Sequence, residues 1–313
     1  MRKPAKILII GLGSIGRRYA RLLPGIGKFE LYALRSGKGP ACPGVKDLHS
    51  WAEVKRAAPG VAFITNPTCL HIRTAIKCAR LGMHLYIEKP LDMRLAGLAE
   101  LKKIVKARRL SAYVAYNLRF HPGIINLKEI VAREGFSHAE VRCSSWLPDW
   151  RPGTDYRKSY SANAKLGGGV VLDLSHEPDY AGYIFGAVSS ITGTASRRSG
   201  VTEDSEDTAD MVLRLKKGGS VEVHLDYCTR RTERTIKAAT KKGFYELDLV
   251  LGRLLSSAGR AKDRTYAIGR DLTYKAELEY FFGRLGRKMM NDLDEASTLL
   301  KRLLEFKRAN GLK

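Results

Sequence analysis

The feature that most constrains the fold of this chain is a glycine-rich turn directly after a short apolar run. Residues 6–10 read Lys-Ile-Leu-Ile-Ile, which predicts a buried strand, and glycines follow at Gly11, Gly13 and Gly16. In a strand–turn–helix unit, glycines at this spacing form the tight turn, let the backbone approach a pyrophosphate and allow close helix–strand packing. The free N–H groups of the following helix favour phosphate. The turn therefore predicts dinucleotide binding by Gly11, Gly13, Ser14, Ile15 and Gly16.

Length and composition fit a globular chain of two domains. The chain has 313 residues, of which 44% are hydrophobic and 28% charged, enough for two separate cores. No apolar run approaches the roughly 18–20 residues that span a bilayer, so no membrane partner is expected. The five cysteines are dispersed without a Cys-x-x-Cys pair. This pattern favours free thiols in a reducing compartment over disulfides or a zinc site, so a cytoplasmic protein is expected.

The net charge of +23 has three interpretations: nucleic-acid binding, an anionic substrate or a solvated basic surface. The basic residues occur as scattered pairs, for example Arg17-Arg18, Lys102-Lys103 and Arg230-Arg231. No stripe of aromatic residues is interleaved with them, as a surface that stacks nucleic-acid bases would require. A solvated surface is therefore the favoured interpretation, and nucleic acid is kept only as the weaker alternative.

The order of predicted elements changes near the middle of the chain. Strands and helices alternate over residues 6–115, which predicts a parallel sheet covered on both faces. From about residue 119 strand-like runs follow one another, two of them joined by a hairpin turn at Lys217-Gly218-Gly219, which predicts an antiparallel sheet. Two final helices are expected at about 272–290 and 294–309. The predicted fold class is α/β, with a doubly wound parallel sheet at residues 1–118 for dinucleotide binding. An α+β domain, built on a mostly antiparallel sheet, is predicted at 119–313 for substrate binding.

The end of the second predicted strand bears on the choice of dinucleotide. An acidic residue usually stands there when the ribose of NAD is bound, but this chain has Leu34-Arg35-Ser36. A guanidinium and a hydroxyl can hold a 2′-phosphate. Arg35 and Ser36 therefore predict NADP, with NAD as the alternative cofactor. A basic surface loop is the competing interpretation in so basic a chain.

Two further strand ends place polar side chains at the edge where open α/β sheets bind ligands. Asn66 and Pro67 end one strand, with His71 on the following helix, and Glu88-Lys89-Pro90 ends the next. Asn66 is a candidate for dinucleotide contact, and His71 is either part of the same site or a buried structural histidine. Lys89 can hydrogen-bond a reacting hydroxyl or accept its proton, although a surface lysine next to a strand end would have the same sequence.

A glycine run at residues 167–169 leads to a second group of candidate catalytic residues. If this segment is helical, Asp173 and His176 share a face, where the carboxylate would orient the imidazole and raise its basicity for proton transfer. A metal site is the rival interpretation. However, Tyr180 stands where a metalloprotease helix needs a second histidine, so no metal is expected.

Pro178 leaves the direction of the His176 imidazole open. If the helix begins near Val170, Pro178 removes a backbone hydrogen bond and kinks the helix just after His176. If Ser175 is instead the N-cap, Pro178 falls in the first turn, where proline is tolerated. The sequence does not choose between these two arrangements.

Together the motifs resemble the glucose–fructose oxidoreductase / inositol dehydrogenase / rhizopine-catabolism (Gfo/Idh/MocA) family. The matching pieces occur in family order within residues 5–186: the glycine turn, Thr65-Asn66-Pro67 with His71, Glu88-Lys89-Pro90-Leu91, residues 116–120 with Pro122, and residues 167–179. The resemblance implies a Rossmann domain, a second domain with an open antiparallel sheet, and NAD(P)-dependent hydride transfer at a sugar hydroxyl. It also implies a catalytic set and a wider group of cofactor contacts: Lys89, Asp173 and His176 as catalytic residues, and Asn66, Pro67, His71, Glu88, Lys89 and Asn117 near the cofactor. One departure is the spacing from Asp173 to His176, which is three residues where many family members have four.

A narrower likeness, to members that act on nucleotide-linked or acidic sugars, lies in residues 147–160. Arginine forks suit carboxylate or phosphate oxygens, and tyrosine rings pack on sugars or bases. The expected substrate ligands are Arg151, Tyr156 and Tyr160, with Lys89, Asn117 and His176. A basic surface loop is the competing interpretation of the segment.

Two further expectations concern the whole protein. The alternative function is a non-catalytic dinucleotide sensor or regulatory protein on the same fold, because fold does not fix function. Retention of Lys89, Asp173 and His176 argues against it, since a sensor needs the glycine turn but not the proton-transfer groups. By analogy with the family, a homodimer or homotetramer through the C-terminal sheet is expected.

Overall fold

The structure is a computed structural model that describes residues 5–35, 37, 39–259, 262–269 and 271–312. Ser36, one of the predicted cofactor ligands, lies outside the described residues. The chain divides into two compact units between Ala115 and Tyr116, and the later segment Lys275–Leu300 belongs to the first unit.

The first unit contains a parallel sheet in the strand order β3-β2-β1-β4-β5-β6. In the described residues its strands are β1 (Ala5–Ile10), β2 (Phe29–Leu34), β3 (Val45–Leu48), β4 (Val61–Ile64), β5 (His84–Glu88) and β6 (Ala112–Ala115). The helices that follow strands of this sheet are α1 (Ser14–Leu22), α2 (Trp51–Ala57), α3 (His71–Arg80) and α4 (Leu98–Ala107). The apolar run at Ile7–Ile9 has no exposed surface, as expected for a parallel strand covered on both faces. The predicted Rossmann sheet is confirmed.

The β3–α2 segment is an element pair that the sequence pattern left unassigned. Ser50 caps α2 by accepting a hydrogen bond from the Glu53 N–H at 3.2 Å. In return, Glu53 Oε2 accepts the His49 N–H at 2.9 Å. Ser50-Trp51-Ala52-Glu53 is a Ser-x-x-Glu capping box, so a signal for the start of this helix was present in the sequence.

The second unit contains a sheet in the strand order β14-β13-β12-β11-β7-β10-β9-β8. In the described chain its strands are β7 (His138–Trp146), β8 (Val188–Ser196), β9 (Thr208–Leu215), β10 (Ser220–Asp226), β11 (Cys228–Ala239), β12 (Phe244–Asp248), β13 (Arg253–Ser256) and β14 (Arg264–Thr265). The remaining α-helices among the described residues are α5 (Pro122–Glu134), α6 (Val170–Asp173), α7 (His176–Phe185), α8 (Leu272–Gly283) and α9 (Leu293–Ala309). Strands β7 and β10 pair in parallel, and the other described pairs are antiparallel. The mostly antiparallel sheet and the hairpin between β9 and β10 were both predicted.

The C-terminal segment differs from the predicted domain division, which placed all of residues 119–313 in the second domain. Lys275–Leu300 joins the first unit because its polar groups pair with the end of that sheet. Tyr113 Oη donates to Glu277 Oε1 at 2.9 Å, and the Val114 N–H donates to the Asn291 carbonyl at 2.9 Å. The helix predicted over 272–290 also ends earlier, at Gly283.

Candidate functional site

The glycine turn after β1 has the geometry that a dinucleotide requires. Gly11 has φ +100°, and a Cβ added there would lie 2.6 Å from the Asn66 nitrogen. A Cβ on Gly16 would lie 2.1 Å from the Gly11 carbonyl oxygen, whereas one on Gly13 would meet nothing within 4 Å. Gly11 and Gly16 are thus required by the protein itself, and Gly13 leaves open space at the start of α1. The first-turn N–H groups of α1, at Ser14, Ile15 and Gly16, have no acceptor within their helix and are available to phosphate.

Hydrogen bonds connect the segment after β4 both to the glycine turn and to the segment after β5. Thr65 Oγ1 donates to the Gly11 carbonyl at 2.6 Å. His71 is buried, with its two ring nitrogens 2.8 Å from the Asn66 carbonyl oxygen and 3.0 Å from that of Pro90. Burial lowers the pKa of His71 below its ordinary value, against the opposing effect of its contacts with the Pro90 and Asn66 carbonyl groups. His71 therefore holds Asn66 and Pro90 together, as the structural interpretation of this histidine expected.

Glu88 and Lys89 lie at the carboxyl end of β5, where the sequence predicted them. Both are half-buried. Glu88 Oε1 lies 2.6 Å from Tyr19 Oη, and Glu88 Oε2 accepts the Lys89 N–H at 3.1 Å. Burial raises the pKa of Glu88, against the opposing effects of the Tyr19 hydrogen bond and the Lys89 charge. The structure thus brings the glycine turn, Asn66, His71 and the Glu88-Lys89-Pro90 corner together in the first unit.

Arg35, the predicted ligand of a 2′-phosphate, already has two partners within the protein. Its guanidinium lies 2.7 Å from Asp47 Oδ2 and 2.6 Å from the Gly39 carbonyl oxygen. The Arg35 side chain is only 7% exposed, against 28% for Asp47. Asp47 lies on the unpredicted strand β3, so the sequence pattern did not reveal this carboxylate. A 2′-phosphate would have to share Arg35 with it.

In the second unit, Asn117 begins a short 3-10 turn directly after Tyr116. Asn117 is buried, and its Nδ2 donates to Thr273 Oγ1 at 2.7 Å. Tyr116 Oη lies 3.3 Å from Ser175 Oγ, and its ring meets the His176 ring edge-on with centroids 5.6 Å apart. Asn117 is thereby brought to the segment that carries His176.

The segment after the glycine run forms two helices instead of one. Helix α6 ends at Asp173 and α7 begins at His176, with Ser175 as its N-cap. The expectation that Asp173 and His176 share one helix face is therefore wrong, because the helix breaks between them. Of the two arrangements open for Pro178, the structure has the second, with the proline in the first turn of α7.

Asp173 is held by a residue that no sequence motif identified. Tyr227 Oη donates to Asp173 Oδ2 at 2.9 Å, and both side chains are buried. Burial raises the pKa of Tyr227 well above its ordinary value, and the Asp173 charge adds to the effect. Tyr227 is therefore a protonated donor that fixes the carboxylate. Its position at the junction of two strands, far along the chain, gave no motif to detect.

Two buried ion pairs fix the first turns of α7. Arg119 donates to both oxygens of Asp179 at 2.8 Å each, with both side chains buried. Glu177 has no exposed surface and lies 2.7 Å from Arg234 Nε. Burial alone would lower the pKa of Arg234, but the Glu177 carboxylate outweighs it and the pKa is raised. His176 itself is half-buried. The start of α7 is therefore fixed, while part of the His176 side chain is accessible to solvent.

The predicted substrate segment contributes exposed or half-exposed side chains. Arg151 is exposed, and Tyr156 and Tyr160 are half-buried. The Trp150 ring meets the Tyr227 ring edge-on at a centroid distance of 5.3 Å. This contact connects the segment to the Tyr227–Asp173 pair. A Cβ on Gly168 would lie 2.3 Å from the Tyr160 carbonyl oxygen, so the segment also packs on the glycine run.

Neither a metal cluster nor a membrane-spanning helix occurs in the described part of the chain. No group of three or more His, Cys, Asp or Glu among the described residues is arranged to hold a metal ion. Within the same described ranges, none of the helices is long and apolar enough to cross a bilayer.

Comparison with protein families matches both units. Residues 5–116 match the model described as an oxidoreductase family with an NAD-binding Rossmann fold. Residues 136–246 match the model of the GFO/IDH/MocA C-terminal domain. Together the matched residues make up more than half of the chain.

Individual relatives agree with these matches. A myo-inositol 2-dehydrogenase of Thermotoga maritima is 28% identical over 232 residues, which make up 68% of this chain and 66% of the relative. The match therefore spans just under two thirds of that protein. A solved levoglucosan dehydrogenase in complex with NADH and levoglucosan has a TM-score of 0.85 at 16% identity, covering 99% of this chain and 98% of that one. A UDP-N-acetylglucosamine 3-dehydrogenase from Acidithiobacillus ferrooxidans has a TM-score of 0.79 at 18% identity, with 98% of each chain covered. At such identities these two structures share the fold.

Proposed function

Because the chain belongs to the Gfo/Idh/MocA family of oxidoreductases with an NAD-binding Rossmann fold, we propose that it transfers a hydride between a nicotinamide dinucleotide and a hydroxyl or keto carbon of a sugar or sugar derivative. The observation that carries the proposal is the glycine turn, in which Gly11 and Gly16 are sterically required and Gly13 faces open space. The bound nicotinamide supplies the hydride donor or acceptor.

Lys89 and His176 are proposed as the groups that handle the hydroxyl proton. Lys89 hydrogen-bonds the reacting oxygen, and His176 exchanges its proton. Asp173, fixed by Tyr227 at 2.9 Å, acts as the carboxylate that tunes this chemistry. Asn117 is proposed to contact the nicotinamide or the substrate. Glu88, Asn66, Pro67 and His71 would form the edge against which the dinucleotide binds.

The proposed dinucleotide is NADP, with NAD as the alternative. The support for NADP is Arg35 in place of an acidic residue at the end of β2. The Asp47 carboxylate at 2.7 Å reduces the expected difference in affinity between NADP and NAD, because it already neutralises the Arg35 guanidinium. The two cofactors are therefore expected to differ by about tenfold in affinity, the lower end of what a charge-assisted phosphate contact contributes.

The proposed substrate class is a nucleotide-linked or carboxylated sugar. Support comes from exposed Arg151 beside the half-buried Tyr156 and Tyr160, and one neighbour in fold is a UDP-N-acetylglucosamine dehydrogenase. The alternative is an uncharged polyol or sugar, since other relatives are a myo-inositol and a levoglucosan dehydrogenase. Removing Arg151 should raise KM for a charged sugar and leave KM for its uncharged counterpart unchanged. Equal KM values for both sugars, before and after Arg151→Ala, would favour the uncharged class.

The direct test is nicotinamide absorbance with a panel that includes inositols, levoglucosan, sugar acids and UDP-sugars. We expect a change that requires both a dinucleotide and one class of sugar. Dinucleotide binding without turnover of any sugar would favour the sensor alternative. The proposed homodimer or homotetramer through the C-terminal sheet is tested separately, by sedimentation of the purified chain.

A further inference from the structure

A chain of hydrogen-bonded hydroxyl and carboxyl groups runs through the core of the first unit. Tyr19 Oη lies 2.6 Å from Glu88 Oε1 and 3.1 Å from Tyr86 Oη. Tyr86 Oη is in turn hydrogen-bonded to Glu277 Oε2, and Tyr113 Oη lies 2.9 Å from Glu277 Oε1. We call these five side chains the tyrosine–carboxyl chain. One end of it is the Glu88 carboxyl group, whose other oxygen accepts the Lys89 N–H at 3.1 Å.

The contacts within the tyrosine–carboxyl chain constrain the number of protons that it carries. Four contacts join the five side chains, and each hydrogen bond needs one proton between its two oxygens. A tyrosine hydroxyl carries a single proton, so Tyr19, Tyr86 and Tyr113 supply three. If both Glu88 and Glu277 were ionised, one of the four contacts would bring two oxygens together with no proton between them. For all four contacts to be hydrogen bonds, including the longest, between Tyr19 Oη and Tyr86 Oη at 3.1 Å, the fourth proton comes from a carboxyl group.

We propose that Glu88 and Glu277 share one carboxyl proton through Tyr19 and Tyr86. The tyrosine–carboxyl chain then carries this proton either on Glu88, next to Lys89, or on Glu277, from which it can return to Glu88 through the two tyrosines. Two arrangements satisfy all four contacts. In one, Glu88 is protonated and donates to Tyr19, Tyr19 donates to Tyr86, and Tyr86 donates to ionised Glu277. In the other, all three bonds are reversed and Glu277 carries the proton. Passing between them moves one proton along each bond and leaves every tyrosine neutral.

Burial and charge favour this state. Tyr19, Tyr86, Tyr113 and Glu277 have no exposed surface, and two ionised carboxylates in one buried network would be costly. Burial also raises the pKa of Glu88 and that of Tyr86. Among the described residues, the titratable and charged groups that act on Glu88 include Tyr19 and Arg18 of α1, Tyr86 and Lys89 of its own segment, and, through the tyrosines, Glu277 of α8.

The shared proton makes folding depend on pH with a defined sign. The folded pKa of the shared site is raised above the ordinary glutamate value of about 4.3 that applies to the unfolded chain. The stabilisation is then complete below the unfolded pKa and is lost as the pH rises through the folded pKa. Between these two values, the site contributes about a tenfold rise in the unfolding constant for each pH unit.

The test uses infrared spectroscopy and denaturant unfolding of the purified chain without cofactor or sugar, so its outcome is independent of the proposed reaction. At neutral pH we expect a carbonyl band of a buried, protonated carboxylic acid. Glu88→Gln and Glu277→Gln should each abolish the whole band, because the glutamine amide supplies the missing donor and the other carboxyl ionises. Each should also remove the one-proton pH dependence of the unfolding constant. Tyr113→Phe is the matched control, since it removes a terminal donor and should keep the band.

Three outcomes would overturn the proposal. The first is no carboxylic acid band in the wild-type chain at neutral pH, a measurement that needs no variant to fold. The second is a band that persists unchanged in both glutamine variants. The third is a Glu88→Gln/Glu277→Gln double variant that is more stable than either single variant. The shared proton predicts the reverse, because two amides would leave either the Lys89 N–H or one hydroxyl proton without an acceptor.

Discussion

The glycine turn of the first unit and the glycine run of the second unit are both rich in glycine but are shaped by different neighbours. The clash that forbids a side chain at Gly16 is with the Gly11 carbonyl oxygen, 2.1 Å from the added Cβ, within the same motif. The clash at Gly169 is with the Glu206 carboxylate at 2.5 Å, contributed by a distant part of the chain. The need for glycine at Gly16 can therefore be interpreted within its own motif, whereas at Gly169 it depends on a residue far along the chain, as it does at Gly11, where an added Cβ would lie 2.6 Å from the Asn66 nitrogen.

Glu206 shows how the second region is held. Its backbone carbonyl accepts the Val170 N–H at 3.0 Å, and its side chain accepts the Val171 N–H at 3.3 Å, so it fixes the start of α6. Lys307 of the C-terminal helix donates to both carboxylate oxygens, at 3.0 and 2.8 Å, and both side chains are almost fully buried. The placement of Asp173 at the end of α6 thus depends on residues far apart in sequence.

The largest expected effect tests this dependence. Lys307→Met should leave the buried Glu206 carboxylate without its counter-charge and destabilise the protein by about 3–5 kcal/mol, the usual cost of breaking a buried ion pair. Turnover should fall because α6 loses its anchor. Lys301→Met is the control, since Lys301 is 58% exposed and its pair with Glu305 is 3.9 Å long. Denaturant unfolding checks both variants, and equal stability of the two would contradict the anchoring role.

The next effect separates two glycines of the first region. Gly16→Ala should lower the free energy of unfolding by about 1–3 kcal/mol, because the methyl group has no space. Gly13→Ala should leave stability nearly unchanged, since nothing lies within 4 Å of its added Cβ. It should nevertheless weaken dinucleotide binding by about tenfold, ~1.4 kcal/mol, if phosphate approaches there. Thermal melts and fluorescence titration measure the two quantities. Unchanged dinucleotide affinity in Gly13→Ala would show that the dinucleotide does not bind at this turn.

A smaller effect is expected at Tyr227. Tyr227→Phe removes the hydrogen bond from Tyr227 Oη to Asp173 Oδ2, which is 2.9 Å long, at a cost of about 1–2 kcal/mol. If Tyr227 positions Asp173 for proton transfer, the pH profile of kcat should shift while KM for the sugar stays constant. A loss of stability with an unaltered pH profile would make Tyr227 purely structural.

The smallest effect concerns the choice of dinucleotide. Arg35→Ala should lower NADP affinity by about tenfold, ~1.4 kcal/mol, with little change for NAD. Asp47→Asn removes the competing carboxylate 2.7 Å from Arg35 and should raise the ratio of NADP to NAD affinity a few-fold. Titration of both cofactors against both variants measures the ratios. Equal affinity of the wild type for the two cofactors would end the NADP interpretation.

Much of the first region could be predicted because its signals are local. The apolar run, the three glycines and the strand-end residues Asn66 and Lys89 lie where the sequence placed them. Asp47 was missed because β3 is short and only partly buried, which leaves little periodicity to detect, although the capping box at Ser50 was a usable signal.

The second region was predicted only in outline. Asp173 and His176 were identified, but the helix break between them was not chosen over a continuous helix. Glu206 and Tyr227 contact the segment from other elements, and Lys307 in turn holds Glu206. None of these contacts leaves a trace in the local pattern of the segment. The helix predicted over 272–290 failed similarly, since the residues after Gly283 are fixed by contacts with the first unit, such as the bond from the Gly286 N–H to Ser111 Oγ at 2.8 Å.

The central proposal, hydride transfer between a nicotinamide dinucleotide and a sugar, is tested most directly by following the transferred atom. The reduced cofactor carrying deuterium at both positions of the nicotinamide C4 is mixed with the keto form of the sugar found active, and the product is analysed by mass spectrometry in single-turnover experiments. We expect one deuterium on the carbinol carbon. We also expect Lys89→Ala and His176→Ala each to slow the transfer by roughly 10²–10⁴-fold while cofactor affinity stays near that of the wild type. A product without deuterium, or transfer at the wild-type rate in both variants, would contradict the claim.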